Sequence, residues 1–307
     1  MSLSIGTLIS ALPGYLAQGI IWGIMALGLY VSFRVLEFSD LTVDGSFAAG
    51  GAVTVIMVLS GQPAWLAVLI AVFAGVICGF ITGILHTRLG IAPILSGILT
   101  QIGLYSINLH ILGNKANQAV SVDKYKLLLS LRHPAMAIAS AGIFALCLIA
   151  VMYWFFGTEL GSAIRATGSN PNMSKAQGIN IDRMKVLALS ISNGIVALSG
   201  GLMAQYQGFA DVQMGRGAIV IGLAAIIIGE VLRRTIKKTT PIDYAISLSF
   251  VILGGIVYYI VMGVALWLRL PTNDLKLFTA LIVAAALAIP HLREKGYRSH
   301  KGKKEAA

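Results

Sequence analysis

Long apolar runs separated by short polar segments make up most of the chain, and most runs have the length of a membrane-spanning helix. A stretch such as 64–85 is apolar or small at nearly every position, without the polar and apolar alternation of a membrane β-strand. A helix needs about 20 such residues to cross a bilayer. The runs therefore predict nine helices, at about 12–33, 45–59, 64–86, 93–112, 134–156, 185–206, 217–232, 241–268 and 275–290.

The composition excludes a water-soluble protein. Hydrophobic residues make up 57% of the chain and charged residues 11%, whereas soluble domains carry about 25% charged residues. Since a backbone inside a bilayer must form its own hydrogen bonds, the fold class is an all-α polytopic membrane protein. Residues 1–18 have no positively charged start and no small-residue cleavage pattern, so the first helix is expected to be retained.

The basic residues predict the orientation of the chain. The net charge is +11, but Lys and Arg lie in short clusters between apolar runs, which argues against a nucleic-acid partner. An orientation with the N-terminus outside and the C-terminus inside places most of them in the cytoplasm, as the positive-inside rule requires. The tail 291–307 is interpreted as an orientation signal rather than a lipid-headgroup site. The clusters placed inside are Arg34, Arg88, the stretch 165–185, Arg233, Arg234, Lys237, Lys238 and the tail.

Residues that could hold a metal or perform catalysis are scattered. Cys78 and Cys147 lie in separate apolar runs, without the paired spacing of a metal or redox site. The histidines have no carboxylate pair at ligand spacing, although an enzyme acting on a membrane lipid would need such a cluster. We therefore expect no catalytic residue and no metal site. The histidines are His86, His110, His133, His291 and His300.

Two of the predicted helices are short, and similar polar stretches precede them. Phe-Ser-Asp at 38–40 aligns with Phe-Ala-Asp at 209–211, and the predicted orientation places the two copies at opposite faces of the membrane. Paired short or glycine-interrupted helices in an inverted repeat point to the central site of a transporter. We therefore predict repeats at about 12–112 and 185–290, joined by a linking helix at 134–156.

Polar residues at these breaks and in neighbouring helices are candidates for lining a translocation pathway. An unwound backbone in the membrane needs hydrogen-bond partners, because each unsatisfied group costs several kcal/mol. For any one residue, a hydrogen bond between helices is the competing interpretation. Asp44 and Glu230 are the carboxylates at the membrane border most worth testing. The candidate pathway residues are Thr42, Asp44, Ser46, Thr100, Gln101, Asn108, Asn193 and Gln205.

The external segment 114–133 carries several basic residues. It is interpreted either as a solvated connection or as a docking surface for a substrate-delivering protein.

The segment 157–178 is predicted to form a pair of short helices on the cytoplasmic side. Leu160, Ala163, Ile164 and Thr167 recur at helical spacing and give a narrow apolar face, with Arg165 on the other side. Small residues along the pair allow another protein to approach closely. An ordinary interfacial hairpin is the competing interpretation.

Turn signals divide this segment into its two helices. Gly168 is expected to stop the first helix, and Asn170 to cap the second with Pro171 at its first position. Gly178 is expected to close the second helix in the left-handed conformation that glycine tolerates.

The segment 161–230 contains Gly161, Arg165, Ala166, Gly168, Asn170, Pro171, Ala176, Gly178, Ile179, Asn180, the Ser-Gly-Gly at 199–201, Gly215, Gly217 and Gly229. With these residues it resembles the branched-chain amino acid and ribose permease family of bacterial ATP-binding-cassette (ABC) importers. The stretch Asp-Leu-Thr-Val-Asp-Gly-Ser at 40–46 is similar to Asp-Leu-Ser-Val-Gly-Ser of the sugar permeases, with one residue inserted. Together with Tyr-Ser-Ile-Asn at 105–108, it is most similar to a branch suggested to import aromatic amino acids, such as tryptophan or tyrosine, with a lipoprotein receptor.

The resemblance implies the permease subunit of an importer for a small polar solute, here an amino acid, in the bacterial plasma membrane. It implies a second permease copy, ATPase subunits on the cytoplasmic loops and an extracytoplasmic substrate-binding lipoprotein. The sequence contains no Gly-x-x-x-x-Gly-Lys-Ser/Thr loop, so ATP and Mg are expected in the partner ATPase and no cofactor in this chain. A secondary transporter driven by an ion gradient remains the alternative. The candidate ATPase-coupling residues are Glu159, Leu160, Gly161, Ile164, Arg165, Gly168, Asn170, Pro171, Lys175 and Gly178.

Overall fold

Helices dominate the structure. The computed structural model describes residues 5–122, 124–233 and 243–268, and the single positions 277, 280, 281 and 284. Within these residues, six helices are long and apolar enough to cross a membrane, which indicates an integral membrane protein. In chain order the elements are α1 (Ile5–Tyr30), α2 (Val43–Leu59), α3 (Ala64–Thr87), α4 (Pro93–Ile111), β1 (Asn117–Ala119), α5 (Pro134–Gly157), α6 (Glu159–Ser169), α7 (Pro171–Ala176), α8 (Ile181–Gln207), β2 (Phe209–Asp211), α9 (Ala218–Arg233) and α10 (Asp243–Trp267).

The first eight predicted membrane helices correspond to α1–α5 and α8–α10. The main differences are in α1, which begins seven residues earlier than predicted and continues through a π-helical turn at Val31–Val35. The ninth predicted helix, at 275–290, lies almost wholly outside the described residues, as do the tail 291–307 and the basic residues Arg234, Lys237 and Lys238. The number nine therefore stays a prediction.

Glycines set the closest helix contacts. Helix α3 packs on α8, where a Cβ added at Gly75 would lie 2.3 Å from the carbonyl oxygen of Asn193. Helix α1 packs on α10, where a Cβ added at Gly19 would lie 2.6 Å from the Cα of Ile256. Close backbone approach of this kind is how helices associate in lipid, where hydrophobic burial drives them together only weakly. Each predicted repeat thus packs one of its long helices against the other repeat.

Contacts at each end of the bundle show which loops lie together. At one end, Lys185 Nζ lies 3.1 Å from His86 Nε2, and Arg34 forms an ion pair with Glu230. At the other end, β1 pairs with β2 in an antiparallel ladder that ties the segment after α4 to the end of α8. The first end is the one predicted to face the cytoplasm, and the absolute orientation stays a prediction.

Candidate functional site

The two short helices α2 and α9 meet at their N-termini. They contain 17 and 16 residues, so each is about 25 Å long, which is less than the ~30 Å hydrocarbon core of a bilayer. Asp44, in the first turn of α2, accepts hydrogen bonds from the backbone N–H of Gly217 at 3.0 Å and of Ile219 at 3.2 Å. The carboxylate of one short helix therefore caps the other, since the first N–H groups of a helix have no partner within it.

Backbone contact fixes this junction. A Cβ added at Gly215 would lie 2.0 Å from the carbonyl oxygen of Asp44, so only glycine allows the segment before α9 to lie this close to α2. Gly217 adopts a φ of +91° as the chain enters α9, a conformation that glycine adopts readily. The two glycines that flank Arg216 therefore hold that residue beside the start of α2.

A cavity of about 420 Å³ adjoins the junction, and we refer to it as the central cavity. Helix α4 forms one wall, where Asn108 donates a hydrogen bond from Nδ2 to the carbonyl oxygen of Gly45 at 3.2 Å. Among the described residues, the buried Oδ1 atom of Asn108 has no hydrogen-bond partner. The polar side chains that line the cavity are Asp44, Gln101, Tyr105, Ser106, Asn108, Gln213 and Arg216.

The aligned polar stretches adopt the same local turn. Asp40 Oδ1 accepts a hydrogen bond from the backbone N–H of Thr42 at 2.9 Å, and Asp211 Oδ1 accepts one from that of Gln213 at 2.7 Å. An aspartate that bonds the backbone two residues later forms an Asx turn. The aligned residues Asp40 and Asp211 therefore accept the same kind of hydrogen bond ahead of each short helix, although 209–211 form β2 and 38–40 form no regular element.

The predicted pathway residues fall into two groups. One group lines the central cavity and the other lies buried in contacts between helices. Those at the cavity are Asp44, Gln101 and Asn108, and those buried elsewhere are Thr42, Ser46, Thr100, Asn193 and Gln205.

Asn193 is the centre of a buried polar cluster that joins α8 to the start of α2. Its Nδ2 donates to Asp40 Oδ2 at 2.7 Å, and its Oδ1 accepts from Ser46 Oγ at 2.6 Å. Asp40 is fully buried, so these hydrogen bonds replace the water that a buried carboxylate loses. Sequence reasoning aligned Asp40 with its repeat partner but did not identify it as a site residue.

The remaining buried candidates hold helices together. The Oγ1 atoms of Thr42 and Thr82 are 2.7 Å apart, and Thr82 Oγ1 donates to Thr100 Oγ1 at 2.9 Å. Gln205 donates to the carbonyl oxygen of Ala64 at 3.2 Å. These contacts match the interhelical interpretation of such residues.

The loop after α5 folds into the predicted pair of short helices, α6 and α7. Asn170 Oδ1 accepts from the backbone N–H of Met173 at 3.0 Å and so caps α7, with Pro171 at its first position. Gly178 follows α7 with a φ of +83°, as expected of a glycine that closes a helix.

One detail of the first short helix was predicted wrongly. Gly168 does not stop α6, which continues to residue 169. It is buried in the last turn, where an added Cβ would lie 2.0 Å from the carbonyl oxygen of Val35. Leu160, on the predicted apolar face, is 51% exposed, whereas the buried residues of α6 are Gly161, Ile164, Thr167 and Gly168. The glycine is needed for close packing and not for termination.

The outer side of the helix pair presents apolar and charged groups together. Leu160 and Met173 are 51% and 58% exposed, and Glu159, Arg165 and Lys175 are exposed beside them. We refer to these five residues as the coupling surface. Exposed large apolar side chains surrounded by charges are typical of a protein-docking site.

The inner side of the pair leads back to the short helix α9. Gly168 of α6 contacts the π-helical turn at the end of α1, which includes Arg34. Arg34 Nε donates to Glu230 Oε1 at 2.7 Å, and a second hydrogen bond joins Arg34 to Glu230 Oε2. Since Glu230 lies in α9, whose N-terminus Asp44 caps, contacts run from the coupling surface to the central cavity.

Known proteins to which this chain is similar in sequence include permeases of transport systems. Residues 12–287 match the family model described as "Branched-chain amino acid transport system / permease component". The chain is 39% identical to a tyrosine transport system permease protein of Clostridioides difficile over 283 residues, which is 92% of each chain. It is 34% identical to the autoinducer 2 import system permease protein LsrC of Yersinia pseudotuberculosis over 165 residues, which is 52% of this chain and 45% of LsrC.

A solved structure supports the fold. The structure of PsaBC from Streptococcus pneumoniae in complex with Fab matches with a TM-score of 0.53 and 12% sequence identity, over 92% of this chain and 95% of that one.

Proposed function

Because the chain belongs to the permease component family of branched-chain amino acid transport systems, we propose that it forms the membrane pathway of an ATP-driven amino acid importer. The proposed location is the bacterial plasma membrane, with the coupling surface in the cytoplasm. The tyrosine transport relative supports an aromatic amino acid as the solute. The proposed partners are an ABC ATPase that supplies ATP and Mg, an extracytoplasmic lipoprotein that delivers the solute, and a second permease copy.

The observation that carries this proposal is the contact path between the coupling surface and the central cavity. Helix α6 rests on the π-helical turn of α1 through Gly168, and the turn is tied to α9 by the Arg34–Glu230 pair. The N-terminus of α9, which begins at Ala218, is capped by Asp44 in the wall of the cavity. An ATP-driven importer needs a physical connection of this kind between its docking site and its solute pathway, because the ATPase never touches the solute.

The coupling surface has the features of an ATPase docking site. Leu160 and Met173 supply apolar contact area, while Glu159, Arg165 and Lys175 supply charges that orient a partner. Thr158 and Asn170 cap the two helices through their side chains, so the surface is held without help from a partner. Preorganisation reduces the entropy cost of binding.

The packing supports an inverted-repeat mechanism within a permease domain spanning about 1–290. The α1–α10 and α3–α8 contacts each join the two predicted repeats, and α2 and α9 meet between them. When the ATPase subunits close, we expect them to move α6, and with it α1 and α9. The repeats then rock about the central cavity, which opens first to one side and then to the other.

The test is uptake of L-[³H]tyrosine in cells, measured after ATP depletion with the ion gradients kept, and separately after the gradients are collapsed with ATP kept. The proposal predicts that uptake stops in the first condition and continues in the second. The reverse result would identify a gradient-driven transporter. Purification of the tagged chain from the same membranes should also recover an ATPase subunit, and its absence would contradict the proposal.

A further inference from the structure

Resting on the proposed function, we infer that the central cavity recognises the zwitterionic end of an α-amino acid. Asp44 and Asn108 accept hydrogen bonds from the ammonium group, and Arg216 donates to the carboxylate. The cavity, of about 420 Å³, lies within the ~300–1,000 Å³ range of small-molecule sites. It thus acts as a solute site in the membrane, separate from the site on the delivering lipoprotein.

The acidic side of the cavity is held in place independently of any ligand. The two oxygen atoms of Asp44 accept one backbone N–H each, from Gly217 and Ile219. The backbone N–H of Ala218 also interacts with this carboxylate. Since an ionised carboxylate has about four lone-pair sites, capacity remains for a further donor. The positive end of the α9 dipole favours a negative charge at this position.

Asn108 provides a second acceptor at the same place. Its Nδ2 is held by the carbonyl oxygen of Gly45, which adjoins Asp44 in the chain. Its Oδ1, in a side chain only 1% exposed, has no partner among the described residues. A buried acceptor without a donor is costly, and an ammonium group has three donors with which to satisfy it and Asp44 together.

The basic side of the cavity is free to bind a carboxylate. Among the described residues, Arg216 donates a hydrogen bond from Nη1 to Gln213 Oε1 at 3.3 Å, which leaves most of its five N–H donors available. Within residues 5–122, 124–233 and 243–268, Arg216 and Asp44 form no ion pair, although both line the cavity. Two opposite charges that line one cavity without a direct ion pair match a zwitterion, and guanidinium binds carboxylate with two parallel hydrogen bonds.

An apolar wall adjoins these charged groups. Ile102 and Tyr105 of α4 line the same cavity, and their side chains are 64% and 48% exposed. When the ammonium and carboxylate groups of an aromatic amino acid bind Asp44 and Arg216, its ring would pack against Tyr105. Aromatic pairs add binding energy beyond that of the area they bury. The arrangement therefore fits an amino acid with an aromatic side chain better than a small polar one.

The test measures binding of L-[³H]tyrosine to the purified full-length permease with its ATPase in lipid nanodiscs, without the lipoprotein. The competitors are tyramine, which lacks the carboxylate, and 3-(4-hydroxyphenyl)propionate, which lacks the ammonium group. For the unaltered protein, each competitor should bind at least tenfold more weakly than tyrosine. Arg216→Gln should weaken tyrosine binding at least tenfold and bring the dissociation constants of tyrosine and tyramine to within threefold of each other. Arg88→Gln, an equivalent change of an exposed arginine at the other end of the bundle, should change neither value.

A second variant tests the acidic side of the cavity by comparing the binding of tyrosine with that of the propionate. Asp44→Asn keeps an oxygen that can cap α9 but removes the charge, so it should bring tyrosine and the propionate to within threefold of each other. Unchanged competitor ratios in both variants would overturn the inference, because loss of structure would weaken all three ligands together. If the unaltered protein binds no tyrosine while its cells import it in an ATP-dependent manner, the inference fails and the proposed function stands.

Discussion

Replacing Gly168 by alanine tests whether force enters the bundle through the contact between α6 and α1. The added Cβ would lie 2.0 Å from the carbonyl oxygen of Val35, and Cβ atoms essentially never approach a neighbour within 3.0 Å. Helix α6 must therefore move by about 1 Å, and overpacking of this kind typically costs about 1–3 kcal/mol. That range corresponds to a decrease of about 5- to 150-fold in the equilibrium constant for the arrangement in which α6 packs on α1. We expect the rate of tyrosine uptake to fall at least fivefold.

The assay compares initial rates of L-[³H]tyrosine uptake in cells where the variant replaces the original chain, at equal amounts of permease in the membrane. Gly157→Ala is the matched control, because Gly157 ends the neighbouring helix α5 and an added Cβ there meets no atom within 4 Å. The control should transport normally. If Gly168→Ala transports as well as Gly157→Ala, the contact between α6 and α1 does not transmit force.

Three further substitutions probe the contacts that hold the bundle and the coupling path. Asn193→Ala leaves its buried partners without two hydrogen bonds and should destabilise the protein by about 1–3 kcal/mol for each orphaned group, measured as a lower thermal midpoint in detergent. Gly200→Ala would place a Cβ 2.0 Å from the carbonyl oxygen of Phe47 and should lower the same midpoint, at a cost of about 1–3 kcal/mol. Glu230→Gln removes the ion pair with Arg34, whose side chain is 53% exposed, and should leave the midpoint nearly unchanged while it reduces uptake.

Each of these substitutions has a control in the chain. Asn172→Ala changes an exposed asparagine in α7, and Gly103→Ala adds a methyl group where no atom lies within 4 Å. Glu37→Gln removes an exposed charge from the same end of the bundle as Glu230. Controls that lower the midpoint or the uptake as much as their matched variants would show that the named contacts are not responsible.

The sequence predicted the helices well because membrane helices are long and nearly uniform in composition. It also predicted the cap at Asn170 and the turn at Gly178, since both depend on local chemistry within a few residues. Gly168 shows where this reasoning fails. A glycine near the end of a helix resembles a stop signal, and only the position of Val35 reveals that it is a packing site.

The candidate site was predictable only in part because its residues come from distant parts of the chain. Asp44 was identified as a polar residue at a helix break, but its partner, the start of α9, lies more than 170 residues away in sequence. Arg216 was passed over because sequence reasoning used only the glycines on either side of it. The signal available in the sequence was Arg216, a cation between two glycines ahead of the second short helix. It corresponds to the anion Asp44 at the start of the first short helix.

Cross-linking from the coupling surface tests whether an ATPase docks there on the cytoplasmic side of the membrane. Met173→Cys, in a chain whose Cys78 and Cys147 are replaced by Ser, places one thiol on this surface at a position that is 58% exposed. A bis-maleimide should join this thiol to an ATPase subunit in native membranes, whereas Lys115→Cys, on the opposite end, should give no such product. If an impermeant maleimide labels Met173→Cys from outside intact cells, or if the cross-linked products contain no ATPase, this surface is not the cytoplasmic docking site of an ATPase.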